Sequence, residues 1–253
     1  MFYPFDFPVL ILLFSLAIFW FSALVGASLR TKQPDLKEAT HDDLAFVLGG
    51  ALTLLGLIIG FTFSMAVSRY DQRKNYEEAE ANAIGTEYVR ADFLPAADAA
   101  KVRALLKSYL DQRIVDYTTR RRKLLLESEA QSARLQAQLW SVVVPPATAQ
   151  ATPLNALVVS GMNDVLNSQG YTQAAWRNRI PFAAWIFLIA ISIFCNLLIG
   201  YSAHGRTPFL FLILPIALSI SLFLISDIDS PRHGIIRVHP QNLESLANSL
   251  RSQ

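Results

Sequence analysis

Apolar residues gather into four stretches, Pro8–Leu29, Ala45–Val67, Pro181–Tyr201 and Pro208–Ser226, set as two pairs around one long polar segment. Each stretch runs for about twenty residues without Lys, Arg, Asp or Glu. At about 1.5 Å of rise per residue, such a helix crosses a hydrocarbon layer of about 30 Å. The pattern therefore predicts an all-α membrane protein with four transmembrane helices and one helical domain between the second and the third. The divisions follow: a first helix pair over 1–67, a helical domain over 68–180, a second pair over 181–226 and a tail over 227–253.

Inside the polar segment the period changes to that of half-buried helices. From Ala45 to about Arg90 there is no proline, and Gly85 is the one weak point, so the second membrane helix is predicted to continue as a rod. On that rod Arg73 and Glu77, and Lys74 and Glu78, stand four apart on one face. Pro95 ends the rod, and Asp98 suits the start of the next helix, where a carboxylate favours the helix dipole. Val102, Leu105, Leu106, Tyr109 and Leu110 then mark one buried face, and Leu124, Leu135, Leu139 and Val142 another. Pro145-Pro146 is expected to stop that helix and open a loop to Thr152. Thr152-Pro153 reads as an N-cap and first helical position, followed by an apolar face at Leu154, Leu157, Val158, Met162 and Val165. Gly170 is expected to break this last helix.

Charge sets the orientation. Hydrophobic residues make up 53% of the chain and charged ones 17%, and the shortfall in charge lies in the four stretches. Seven basic residues flank the insert side of the spans, Arg69, Arg73, Lys74, Arg177, Arg179, Arg232 and Arg237, against four in the short loops, Arg30, Lys32, Lys37 and Arg206. The positive-inside rule then places the insert and both termini in the cytoplasm. Asp35, Glu38, Asp42 and Asp43 in the first loop count for little in this rule. Val25-Gly26-Ala27 has signal-peptidase spacing, but Met1–Asp6 carries no positive charge and the apolar run is long, so an uncleaved helix is expected. A net charge of +2 with interspersed signs is too small to suggest nucleic-acid binding, so no nucleic-acid partner is expected. Arg120-Arg121-Arg122-Lys123 is the densest basic run; it reads as a solvated helix start, with contact to acidic lipid headgroups as the alternative.

No catalytic signature is present. His41, His204, His233 and His239 are divided between the two predicted faces, and Cys195 is the sole cysteine, expected to face the membrane. Neither a cofactor, a metal site nor an enzyme activity is expected. Glu77, Glu80 and Glu87 share a face of the rod, where salt bridging to a neighbouring helix or subunit is favoured over cation binding.

The second span carries a stripe of small residues. Gly49, Thr53, Gly56, Gly60 and Ser64 follow at spacings of four, three, four and four, which places them on one face. Such a stripe permits close helix packing. It equally suits a wettable pore wall, with Phe61, Phe63 and Met65 as a constriction. Both roles stand together in a ring of helices.

Ile59-Gly60-Phe61 through Arg69-Tyr70, the run Glu80-Ala-Asn82-Ala-Ile84-Gly85-Thr86 with Arg90, and Ser226-Asp227-Ile-Asp229-Ser-Pro231-Arg-His-Gly234 resemble a family of mostly bacterial membrane proteins described as bestrophin-like. Its more distant similarity to true bestrophins implies four spans, a cytoplasmic insert, and a pentamer around an ion pathway lined by the second span. In that likeness Gly60-Phe61 and Arg69-Tyr70 match the Gly-Phe and basic-aromatic pairs of the second span. The longer acidic run that holds calcium in animal members is missing; Asp227 and Asp229 are read as capping residues or as partners of Arg232.

The resulting expectation is an oligomeric, bestrophin-like ion channel of a bacterial inner membrane, surrounded by membrane lipids and passing inorganic ions. Gly56, Gly60 and Ser64 give the packing or wettable wall, Phe61, Phe63 and Val67 the apolar constriction, and Arg69 and Arg73 a cytoplasmic mouth favouring anions. The alternative is a non-conducting, membrane-anchored scaffold or sensor whose helical domain binds a cytoplasmic partner.

Overall fold

The computed structural model describes residues 4–31, 38–202 and 210–252, and every regular element in them is helical. Eight α-helices follow in order: α1 (Pro8–Thr31), α2 (Glu38–Arg90), α3 (Ala96–Thr118), α4 (Arg122–Ala149), α5 (Pro153–Arg177), α6 (Phe182–Ser202), α7 (Leu210–Asp229) and α8 (Gln241–Arg251). Short 3-10 turns precede α1 (Pro4–Asp6) and follow α2 (Ala91–Phe93). The loop residues Lys32, Asp35, Lys37, His204 and Arg206, and the side chains of Glu38, His41 and Asp42, lie outside the described residues. Four helices are long and apolar enough to cross a membrane. They fall where the apolar stretches do, and α2 runs unbroken for 53 residues, as the lack of proline in the rod requires.

The chain forms two compact units, Met1–Tyr70 with Arg179–Arg237, and Asp71–Asn178 with Val238–Gln253. In the first, α1 packs on α6 and α7. The α1–α6 crossing depends on two glycines. A Cβ at Gly26 would lie 2.9 Å from the backbone of both Leu197 and Tyr201, and one at Gly200 would lie 2.8 Å from the carbonyl carbon of Ala23. Each glycine thus admits the other helix's main chain, the close approach that small residues provide where water supplies no driving force. Phe19, Leu55, Trp185, Leu188 and Leu222 fill the core, and Cys195 is buried among them. That corrects the membrane-facing expectation: α6 is covered by α1 and α7, and a small side chain suits the covered side.

The second unit has its own core, in which Val102, Leu106, Tyr109, Leu139 and Met162 are each 0% exposed. Thr152 caps α5 as expected, its hydroxyl accepting from the Asn155 amide at 3.2 Å. Three details differ from the sequence expectation. First, α4 continues through Pro145 and Pro146 to Ala149. Each proline removes one hydrogen bond, but its fixed φ is helical, and the Gln150 amide still closes the last turn on the Pro146 carbonyl at 3.1 Å. Second, α5 passes through Gly170. Glycine costs about 1 kcal/mol in a helix interior, and Gln169 and Thr172 on either side are buried and bonded. Third, Leu124, Leu154 and Leu157 are exposed, while Ser128 and Ser132 take buried positions on α4.

Gly26→Leu or Gly200→Leu should separate α1 from α6 and destabilise the membrane unit by at least the 1–3 kcal/mol usual for overpacking. Gly56→Ala, with nothing within 4 Å of its Cβ, should leave the fold of a single chain unchanged. Thermal unfolding of each variant in detergent checks the contrast.

Candidate functional site: the second helix and its anchors

In its membrane half α2 has two unlike faces. Leu55, Thr62 and Ala66 are buried in the first unit. Gly49, Thr53, Gly56, Gly60 and Ser64 are all exposed, and a Cβ built on any of the three glycines meets nothing within 4 Å. Only 6% of the apolar window of α2 is buried, against 28%, 33% and 50% in the other three candidate spans. Among the described residues, the stripe is therefore exposed and its glycines are uncovered. Phe61 and Phe63 flank it at 65% and 39% exposed, and Val67 is half-buried. The Thr53 hydroxyl donates to the Gly49 carbonyl at 2.8 Å, so its polarity is partly spent on its own helix.

At one end of the first unit a polar clasp joins three segments that are distant in sequence. Arg179, just before α6, bonds to Asp6 ahead of α1 and to the Asp229 carbonyl at the end of α7. The Asp229 carboxylate faces Arg69 at 3.7 Å and Arg179 at 3.8 Å, and accepts from the Ile180 amide at 3.3 Å. Ser226 donates to the Phe5 carbonyl at 2.8 Å, and the Phe5 ring stacks on Trp185 with centroids 4.4 Å apart. Beyond α7, Asp227 accepts from the Ile235 and Ile236 amides, both at 2.7 Å. Gly234 lets that turn close, since a Cβ there would meet the Asp227 carbonyl. Pro231 is half-buried in the same turn. Asp227 thus caps a turn, and Asp229 pairs with Arg69 and Arg179.

Arg69 therefore offers a shared charge rather than a free one, at 14% side-chain exposure. Arg73 is 1% exposed. Of the two arginines expected at a cytoplasmic mouth, Arg69 thus shares its charge with Asp229 and Arg73 is buried.

In the second unit the α2 rod presents a row of carboxylates. Glu77 caps α8, accepting from the Asn242 amide at 2.9 Å, the Asn242 side chain at 2.6 Å and the Leu243 amide at 3.0 Å. Its carboxylate meets the positive end of α8, a charge-assisted N-cap supplied by another helix. Gly85 lies under this docked helix, its Cβ position 3.2 Å from Leu246 Cδ1. Glu80, 0% exposed, bonds to Arg113 and accepts from Tyr117 and Thr172 at 3.2 Å. Arg113 also holds Asp116, which takes the Ser128 and Ser132 hydroxyls of α4. The network ties α2, α3, α4 and α5 together. Burial, reinforced by the negative charge of Glu80, pushes the Tyr109 and Tyr117 hydroxyls above their usual range. Asn82 is exposed, and Arg90 reaches the Leu157 carbonyl at 3.4 Å.

Among the described residues no group of three His, Cys, Asp or Glu is arranged to hold a metal. The motif positions Glu80, Gly85, Arg90, Asp227, Asp229 and Gly234 are thus engaged in holding helices and turns. Sequence reading missed Asp6 and Arg179 as partners, because their separation of 173 residues leaves no periodic signal.

Glu77→Ala should release the start of α8, costing about 1–2 kcal/mol in the manner of a lost N-cap. The check is limited proteolysis, in which cleavage around residues 238–242 should quicken while the rest of the second unit stays resistant.

Comparison with known proteins gives one consistent result. A family model described as Bestrophin-like domain matches residues 9–243. Crystal structures of a bacterial bestrophin homologue from Klebsiella pneumoniae share the fold. One mutant form is 14% identical, with 95% of this chain and 96% of that chain covered and a TM-score of 0.65. A second mutant form is 15% identical, covering 97% and 96% with a TM-score of 0.64. The form phased with zinc is 16% identical, covering 96% and 95% with a TM-score of 0.63. No curated protein matches the sequence. With the family model spanning nearly the whole chain and the helical fold in agreement, this four-span membrane protein belongs to the Bestrophin-like domain family.

Proposed function

We propose that the chain assembles as a homo-oligomeric ion channel, a pentamer by family likeness, with copies of α2 lining the pathway. The observation that carries this reading is the stripe Gly49, Thr53, Gly56, Gly60 and Ser64, exposed among the described residues and with open space over its glycines. Small residues let helix copies approach and leave room for water, while the exposed Phe61 and Phe63, with Val67, supply an apolar ring that gates by dewetting. The 53-residue α2 carries both the membrane stretch and the carboxylate row of the helical domain. In this reading that domain, 68–180, and both termini lie in the cytoplasm of a bacterial inner membrane, as the basic flanks favour. Arg69 contributes a modest preference for anions, reduced by its pairing with Asp229.

A non-conducting scaffold or sensor is the second reading. What favours it is the exposed run Arg120–Lys123, with Leu124 and Leu126 exposed beside it at 44% and 57%, a surface able to meet an acidic partner.

The test is conductance of the purified oligomer in planar bilayers. Phe61→Ala with Phe63→Ala should raise the open-state current several-fold by wetting the constriction, and Gly56→Leu should abolish it while the chain stays folded. An intact oligomer that passes no current in wild type or in the double alanine variant would contradict the channel and leave the scaffold.

A further inference from the structure

Glu77, Glu80 and Glu87 lie along one face of α2, and the third differs from the other two. Glu77 has three donors on α8, and Glu80 has Arg113, Tyr117 and Thr172. Glu87 is 0% exposed, and neither of its carboxyl oxygens has a hydrogen-bond partner among the described residues. Space has nevertheless been made for it. On α5, opposite, stands Gly161, where a Cβ would overlap Glu87 Oε2 and sit 3.3 Å from Arg90 Cδ. The cradle fits a carboxyl group and also brings Arg90 Nη1 to 2.5 Å from the same point, beside the carboxyl group but with no hydrogen bond to it.

Among the described residues, the charged groups around it leave it without a hydrogen bond. Arg90, one turn further along α2, directs a guanidinium nitrogen to the Leu157 carbonyl at 3.4 Å. Asp164 on α5 carries the same sign as an ionised Glu87 and is itself exposed. Asp92, in the turn after α2, is engaged by Arg103. A buried carboxylate without donors is disfavoured in its charged form, whereas the neutral acid tolerates such a site. Desolvation is the largest effect on Glu87, opposed by Arg90 and reinforced by Asp164, and raises its pKa from 4.5 to about 8.

We propose that Glu87 is a proton-binding site of the helical unit, holding the neutral acid near neutral pH and releasing its proton on mild alkalinisation, so that the new charge loosens α5 from α2. In that step the O–H bond breaks, the proton passes to solvent and the electron pair stays on the carboxylate. The sign of the linkage follows. The folded pKa lies above the unfolded one, so between 4.5 and about 8 the folded chain holds a proton that the unfolded chain has lost. Stability falls as pH rises through that window, and the loss levels off above it. The inference rests on the helical unit and stands whether or not the oligomer conducts.

Infrared difference spectra of the full chain in detergent, recorded between about pH 6 and about pH 9.5, test it directly. Wild type should lose a protonated-carboxyl C=O band with a midpoint near 8, and that band should be missing from Glu87→Gln. The thermal midpoint of wild type should fall over the same range by at least twice as much as that of Glu87→Gln. Asp164→Asn should move the titration to lower pH by removing the like charge. If Glu87→Gln does not fold, the wild-type titration decides alone. A carboxyl band already gone at about pH 6, or equal pH slopes in wild type and Glu87→Gln, would overturn the proposal.

Discussion

A helix in a bilayer needs a fitting neighbour for each of its faces, and α2 finds one within its chain for a single face. Leu55, Thr62 and Ala66 are buried, while the opposite stripe of glycine, threonine and serine is exposed and its glycines meet nothing within 4 Å among the described residues. Small residues make weak lipid contacts, because each offers few atoms to the acyl chains, and strong ones to a helix that approaches closely. In the channel reading that neighbour is another copy of α2, so one surface serves both assembly and pathway. The flanking Phe61 and Phe63 weigh toward a gated, hydrophobic constriction.

The rest of the chain holds α2 in place. Its helical-unit half is gripped by side chains rather than by apolar packing alone. Glu77 seats α8, and Glu80 with Arg113 and Asp116 gathers α3, α4 and α5. Buried ion pairs add little net stability over apolar substitutes, but breaking one strands a charge. Such a network therefore favours one arrangement of helices over near alternatives. Glu87, left without donors on the same helix, is the exception within this row.

Much of this was legible in the sequence and some could not be. The four spans and the continuous rod follow from unbroken apolar runs and the absence of proline, signals local enough to survive folding. The Thr152 cap and the stripe followed from spacing in the same way. Pro145, Pro146 and Gly170 misled because each costs a helix a limited amount that neighbouring contacts offset. The Asp6–Arg179–Asp229 clasp and the Gly26–Gly200 crossing depend on residues far apart in sequence, where periodicity carries no information. Glu87 and Gly161 belong to that same class.

Site-directed cross-linking measures the central claim most directly, since Cys195 is the sole cysteine and can be replaced. Single cysteines at Gly49, Gly56 or Gly60 in a Cys195→Ala background should form disulfide-linked dimers in native membranes under mild oxidant. A cysteine at the buried Leu55 should not. Equal cross-linking at Leu55, or none at the three stripe positions, would contradict the assignment of this face to a second copy of the helix.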